Sequence, residues 1–185
     1  MTYGVSYRQI LREVERVLSG VDPDEVERLV GEVLRAHTVV TAGAGRVGMA
    51  ARGFAMRLGH LGRRAYALGD AAVPAIGNGD LLVVASGSGE TQTIVAVAEV
   101  AKGSGARVAL LTGRRDSRLG ALADTVVVVP APSKAHAVDG FASVQPMTTL
   151  NEQCLQLLFD AIVLDLMARS GESHETMWRR HSNLE

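Results

Sequence analysis

The period of the hydrophobic positions changes at residue 37. Before it, apolar residues recur every three to four positions: Ile10, Leu11, Val14, Val17 and Leu18, then Val26, Leu29, Val30, Val33 and Leu34. That spacing puts each set on one stripe of a helix. Ser19-Gly20 separates the two stripes. Asp22-Pro23-Asp24-Glu25 reads as a helix start, with Asp22 as N-cap, Pro23 in the first turn and Glu25 closing a capping box. Residues 1–36 are therefore expected to form a helical hairpin, part of the same domain as the rest. It would clasp either the main body or a partner subunit.

From His37 onward, short β-branched runs alternate with helical stretches. Strands are predicted at 38–41, 64–68, 81–85, 108–111 and 126–129, and helices at 48–61, 91–102 and 119–123. Continuous apolar strands between helices imply a parallel sheet covered on both faces. The expectation for 37–185 is thus one α/β domain with a doubly wound, five-stranded parallel sheet. Residues 130–145 have no period and read as a long loop, a length often associated with function. Pro146 opens a helix to about Arg169 that is apolar nearly all round, interrupted by a polar strip of Glu152, Gln153 and Gln156. Such a helix must be buried, either centrally or at a subunit interface. The tail beyond 173 carries Trp178, Arg179, Arg180 and His181.

Composition narrows the function classes. The 185 residues suit one domain, and 47% hydrophobic content suits a packed core. A net charge of −1 argues against bulk attraction to nucleic acid or an anionic membrane. With three Phe, three Tyr and one Trp, a base-stacking platform is not expected. The single cysteine, Cys154, excludes an intrachain disulfide framework and reads as a core residue. No apolar run approaches the ~18 residues of a membrane helix, and the first residues lack the pattern of a secretory signal. A cytoplasmic protein is expected. Only Lys102 and Lys134 offer Schiff-base chemistry. No His and acid spacing suggests a metal site, and His37, His136 and His174 read as structural or solvated. Lys134 in the long loop and Arg114-Arg115 read as solvated charge.

Two glycine-rich turns compete for the meaning of the fold. Gly43-Ala44-Gly45-Arg46-Val47-Gly48 is a formal GxGxxG, with Asp70 near the end of the next strand. It reads either as a dinucleotide site or as a device that brings a helix close to a strand. Ser86-Gly87-Ser88-Gly89-Glu90-Thr91 follows the most apolar strand and opens a helix. It offers backbone N–H groups, hydroxyls and the positive end of a helix, a combination that suits a phosphate monoester. It lacks the Lys of a P-loop. The bland alternative is a Ser/Thr helix cap with tight-turning glycines.

The Ser-Gly-Ser-Gly-Glu-Thr run after an apolar strand resembles the SIS (sugar isomerase) domain family. Gly43-Ala44-Gly45-Arg46, Phe54 to Gly62, Gln145-Pro146-Met147, Glu152-Gln153 and the ending Arg180-His181-Ser182-Asn183-Leu184-Glu185 resemble its 6-phospho-3-hexuloisomerase branch. The resemblance runs in order along nearly the whole chain. It implies a single flavodoxin-like SIS domain and a homotetramer with sites near subunit interfaces. The implied reaction converts D-arabino-3-hexulose 6-phosphate to fructose 6-phosphate through an enediol(ate), without a cofactor, in the ribulose monophosphate pathway of formaldehyde assimilation.

By the same resemblance, Ser86, Ser88 and Thr91, with Gly87 and Gly89, would hold the phosphate. Val47 stands where relatives often carry a hydroxyl, and Arg46 would compensate. Glu152 would be the base, since a carboxylate suits proton transfer beside a carbonyl, and Gln153 would orient it or contact substrate. His60 and His181 are candidates for acid/base transfer at the substrate oxygens. His60 could equally be a helix C-cap, and His181 would reach a site only if the tail folds over one, in this or a neighbouring subunit. The rival readings are an isomerase for arabinose 5-phosphate or a heptose phosphate, and a non-catalytic sugar-phosphate sensor. A nucleotide-binding protein built on the first glycine turn is a third.

Overall fold

The structure is a computed structural model and describes residues 3–132 and 141–184. Lys134 and His136 lie outside the described residues. Two helices, α1 (Tyr3–Leu18) and α2 (Pro23–Arg35), precede an alternating series: β1 (Val39–Gly43), α3 (Gly45–His60), β2 (Ala65–Ala67), β3 (Leu81–Ala85), α4 (Gln92–Gly103), β4 (Arg107–Thr112), α5 (Arg118–Leu122) and β5 (Thr125–Val128). Helices α6 (Thr149–Arg169) and α7 (His174–Trp178) complete it.

All strand pairs are parallel, in the order β2-β1-β3-β4-β5. Alternate side chains serve two layers. Val39, Leu81, Val83, Leu111 and Val127 face α3, α6 and the hairpin. Val40, Leu82, Val84, Val108 and Leu110 face α4 and α5. Burial on both sides explains why the strands read as unbroken apolar runs. The chain moves outward from β1 to β2, then crosses back to place β3 on the other side of β1. Ligands of open α/β sheets sit outside the strand ends at such a reversal, and both glycine-rich turns lie there.

The hairpin joins the α3/α6 layer through Val14, Val17, Leu29, Val30 and Val33. Leu11, expected on the buried stripe, is 59% exposed. Glu25 does not close a capping box. Asp22 caps α2 by accepting from the Asp24 N–H, while the Glu25 carboxylate pairs with Arg115 and accepts from the Val128 N–H at 2.7 Å. A partner across the fold outcompetes the local one, and Arg115 is thereby a structural ion pair rather than solvated charge. Glu13 acts likewise. It accepts from Ser143 Oγ at 2.7 Å, the Val144 N–H at 3.0 Å and Gln145 Nε2 at 3.1 Å, so α1 fixes the segment that leads into α6.

Element boundaries shift by up to three residues from expectation, with α3 starting at Gly45 rather than Gly48. α6 starts at Thr149, not Pro146, because Met147 takes φ +57° and cannot continue a right-handed helix. The tail contains α7, closed by a Ser173/Thr176 capping box. Its Ser-x-x-Thr signal is short and stands among polar residues.

Candidate active site

The described helices divide by how they begin. Asp22, Ser117 and Ser173 cap α2, α5 and α7 with side-chain oxygens. Helices α3, α4 and α6 have no such side-chain cap at Ala44, Thr91 or Thr148. These three uncapped ends converge. Residues from each, among them Arg46, Ser88, Thr91, Asn151 and Glu152, line one cavity of about 330 Å³ at the sheet's carboxyl edge. Unsatisfied N–H groups and positive dipole ends make each such terminus attractive to an anion. Three such ends around one cavity give it a capacity for negative charge that a single helix cap would not.

The β3–α4 turn forms one wall. Ser86 is buried, and its Oγ accepts from the Gly89 N–H at 3.2 Å. Ser88 Oγ accepts from the Glu90 N–H at 3.2 Å. Each hydroxyl therefore shapes the turn and keeps its own proton to donate. Gly87 is needed for close approach: a Cβ there would lie 2.8 Å from Asn151 Oδ1. Val47 also lines the cavity and packs into the core beside it.

Glu152 forms the opposite wall. Its side chain is 14% exposed, paired with Arg46 Nη1 at 2.8 Å. Thr148 Oγ1, one turn earlier, donates to Glu152 Oε1 at 2.8 Å. Arg46 also reaches Thr149 Oγ1 at 3.3 Å, which ties the first turn of α3 to the first turn of α6. A carboxylate held by two donors and open to a cavity can take and return a proton there.

The structure brings Arg46, Ser86, Gly87, Ser88, Thr91 and Glu152 to this cavity. Gln153 lies next door. It shares with Arg46, Met49, Glu152 and Leu157 a second cavity of about 460 Å³, and its Oε1 has no hydrogen-bond partner among the described residues. Gly89 is buried behind the turn. His60 and His181 are elsewhere. Their rings lie 5.3 Å apart, with Trp178 stacked on His181 at 5.2 Å. Arg57 Nη1 is 3.2 Å from His60 Nδ1, and Arg180 donates to the His60 carbonyl at 2.9 Å. Fourteen residues of α3 separate Arg46 from His60, about 21 Å at 1.5 Å per residue. Within one chain the histidines meet each other but not Glu152.

The first glycine turn is explained by packing. A Cβ at Gly48 would lie 2.5 Å from the Gly43 carbonyl oxygen, so these glycines let α3 start against β1. Asp70 is engaged by Arg52 and by the Ala67 N–H. Cys154 is a free, buried thiol, and burial pushes its pKa up to about 12. Among the described residues, no three His, Cys, Asp or Glu side chains are grouped as metal ligands, and no helix is long and apolar enough to cross a membrane.

Sequence reasoning missed Thr148 and Asn151. Asn151 stands one helical repeat before Leu155, Leu158 and Ile162, all buried. A polar residue on a buried stripe was the available signal.

This is a doubly wound parallel α/β domain with a polar cavity at the carboxyl ends of its strands, and the family model for the SIS domain matches residues 32–176. The chain belongs to the SIS domain family. It is 38% identical over 177 residues to the 3-hexulose-6-phosphate isomerase of Bacillus subtilis, covering 96% of each chain. It is 42% identical over 173 residues to that of Mycobacterium gastri, covering 94% of this chain and 86% of the relative. A Methanococcus jannaschii crystal structure, from which a 3-hexulose-6-phosphate isomerase function has been inferred, superposes with a TM-score of 0.82 at 25% identity, covering 97% of this chain and 96% of that one.

Proposed function

We propose that this chain is an isomerase that converts D-arabino-3-hexulose 6-phosphate to fructose 6-phosphate. The observation that carries the reading is one cavity where three uncapped helix N-termini face a single carboxylate. Relatives of matching length that carry the isomerase name support the substrate. The phosphate sits at the β3–α4 turn, on backbone N–H groups and the protons of Ser86, Ser88 and Thr91. Glu152 removes the proton from C2 of the 3-ketose. The electron pair forms the C2–C3 double bond of an enediolate, and the C3 carbonyl oxygen takes the charge. Glu152 returns the proton to C3 while O2 loses its proton and becomes the carbonyl. Arg46, already beside Glu152, offers positive charge to the enediolate.

Proton transfer between the two oxygens is assigned to His60 and His181 of a neighbouring copy in a homotetramer. Supporting that assembly, Leu11, Met49 and Leu157 are exposed beside Glu152 and Gln153, an apolar patch suited to burial against another subunit. The reading places the enzyme in the cytoplasm and in the ribulose monophosphate pathway of formaldehyde assimilation. The test is formation of fructose 6-phosphate from freshly generated 3-hexulose 6-phosphate, with Glu152→Gln as control. Turnover that vanishes in the control supports the reaction and its base. Fructose 6-phosphate binding without turnover in the parent would make the protein a sensor or an isomerase of another sugar.

A further inference from the structure

Asn151 is 1% exposed, lines the cavity, and has no hydrogen-bond partner among the described residues at either Oδ1 or Nδ2. Buried amides are almost always paired, because an unmet donor or acceptor away from water is costly. Here both ends of one side chain are unmet. The amide lies between the two functional walls: it is next to Glu152 in the first turn of α6, and its Oδ1 sits against Gly87 of the phosphate turn. The glycine at 87 keeps that approach open.

We infer that Asn151 is a specificity residue, whose carboxamide binds a hydroxyl of the sugar chain between the phosphate and the reacting carbons. The chemistry of the amide selects this group over the phosphate. Nδ2 can only donate and Oδ1 can only accept. A phosphate dianion offers acceptors alone, so it would satisfy Nδ2 and leave Oδ1 facing negative charge. A hydroxyl both donates and accepts and so can meet either end, and neighbouring hydroxyl and carbonyl oxygens can meet both. The argument is the same if the amide is turned over, since one donor and one acceptor need partners in either orientation. The inference rests on the sugar-phosphate reading of this cavity and adds which part of the ligand is read, and by what.

The test compares Asn151→Leu and Asn151→Asp with the parent, measuring Tm and dissociation constants for fructose 6-phosphate and inorganic phosphate. Leu keeps the shape and removes both polar ends, so Tm should equal or exceed the parent's. Affinity for fructose 6-phosphate should fall at least about tenfold, while that for inorganic phosphate stays within about threefold. Asp should also fold and lose fructose 6-phosphate affinity, since it cannot donate. Three outcomes overturn the inference: unchanged fructose 6-phosphate affinity in both variants, parallel loss of phosphate and fructose 6-phosphate, or unfolding of Asn151→Leu, which would make the amide structural. A parent that binds fructose 6-phosphate but does not turn over removes the isomerase reading and leaves this one standing. A parent that binds neither ligand removes both.

Discussion

Glu13 and Glu152 are both acidic side chains set into the apolar α3/α6 layer, and their surroundings treat them differently. Glu13 is met by Ser143, the Val144 N–H, Gln145 and Gln9. Burial alone would raise its pKa, but those donors outweigh it and hold the carboxyl below its ordinary value of 4.5. Glu25 is met by Arg115 and the Val128 N–H. Both carboxylates are clamps that fasten the hairpin to the chain's later half. Glu152 has two donors and an open side, next to an amide with unmet polar ends and among three uncapped helices. In one region both oxygens of each carboxylate are taken up by donors of the fold. In the other, donors and acceptors are left over, and they converge. Surplus hydrogen-bonding capacity in a concave place distinguishes a ligand site from a buried clamp.

Substitution separates the two roles most sharply at Glu152. Glu152→Gln should lower kcat by about 10³-fold, within the range of general acid–base catalysis, with fructose 6-phosphate still bound. Stability should stay within about 1 kcal/mol, because exposed Arg46 can return to water. Retention of more than a tenth of parental turnover would remove Glu152 as the base. Glu13→Ala should do the reverse. It strands several donors of the 143–145 segment, and denaturant unfolding should show a loss of about 2–3 kcal/mol. If stability is unchanged, the clamp is not one.

Much of this fold is legible because parallel strands are buried on both sides. Residues 81–85 and 126–129 have no polar face to confuse their reading, and they form β3 and most of β5. The Ser86–Thr91 turn is legible for a related reason, since its hydroxyls and glycines stand between an apolar strand and an apolar helix. What could not be read is long-range choice. Nothing local says that Glu25 prefers Arg115 to its own helix start, or that Glu13 reaches 130 residues ahead to Ser143. His60 is the clearest case. Its position on α3 is plain in the sequence, but which end of α3 faces the cavity depends on how the helix enters from β1. Asn151 was hidden because a single polar residue in an apolar helix gives no sign of whether it has a partner.

Within the cavity, the hydroxyls of the β3–α4 turn should show a smaller effect than Glu152. Ser88 Oγ is already an acceptor from the Glu90 N–H, and its proton is free for an anion. A hydrogen bond to a charged group contributes about 1.5–3 kcal/mol. Ser88→Ala should therefore weaken both inorganic phosphate and fructose 6-phosphate by about tenfold, with kcat little changed. The parallel loss contrasts with the selective loss expected at Asn151. Unchanged affinity for both ligands would mean that the β3–α4 turn is not the cradle.

The smallest effect is expected where a satisfied carboxylate holds the tail. Glu172 accepts from Arg180 at 2.8 and 2.9 Å and from Thr176. Arg180 and Thr176 lower its pKa from 4.5 to about 2. A depressed carboxyl stabilises the folded form above its unfolded pKa, and the contribution is lost as pH falls through the folded value. The Glu172 contribution to tail docking should therefore be full and independent of pH above about pH 4.5, and be lost between there and about pH 2. The one tryptophan, Trp178, lies in this tail against His181, so its fluorescence reads the docking directly. Arg180→Ala should move that acid transition to higher pH while leaving the far-ultraviolet circular dichroism at pH 7 unchanged. An unmoved transition would mean that the ion pair does not hold the tail, and that the His60–His181 contact rests on the stacking at Trp178 instead.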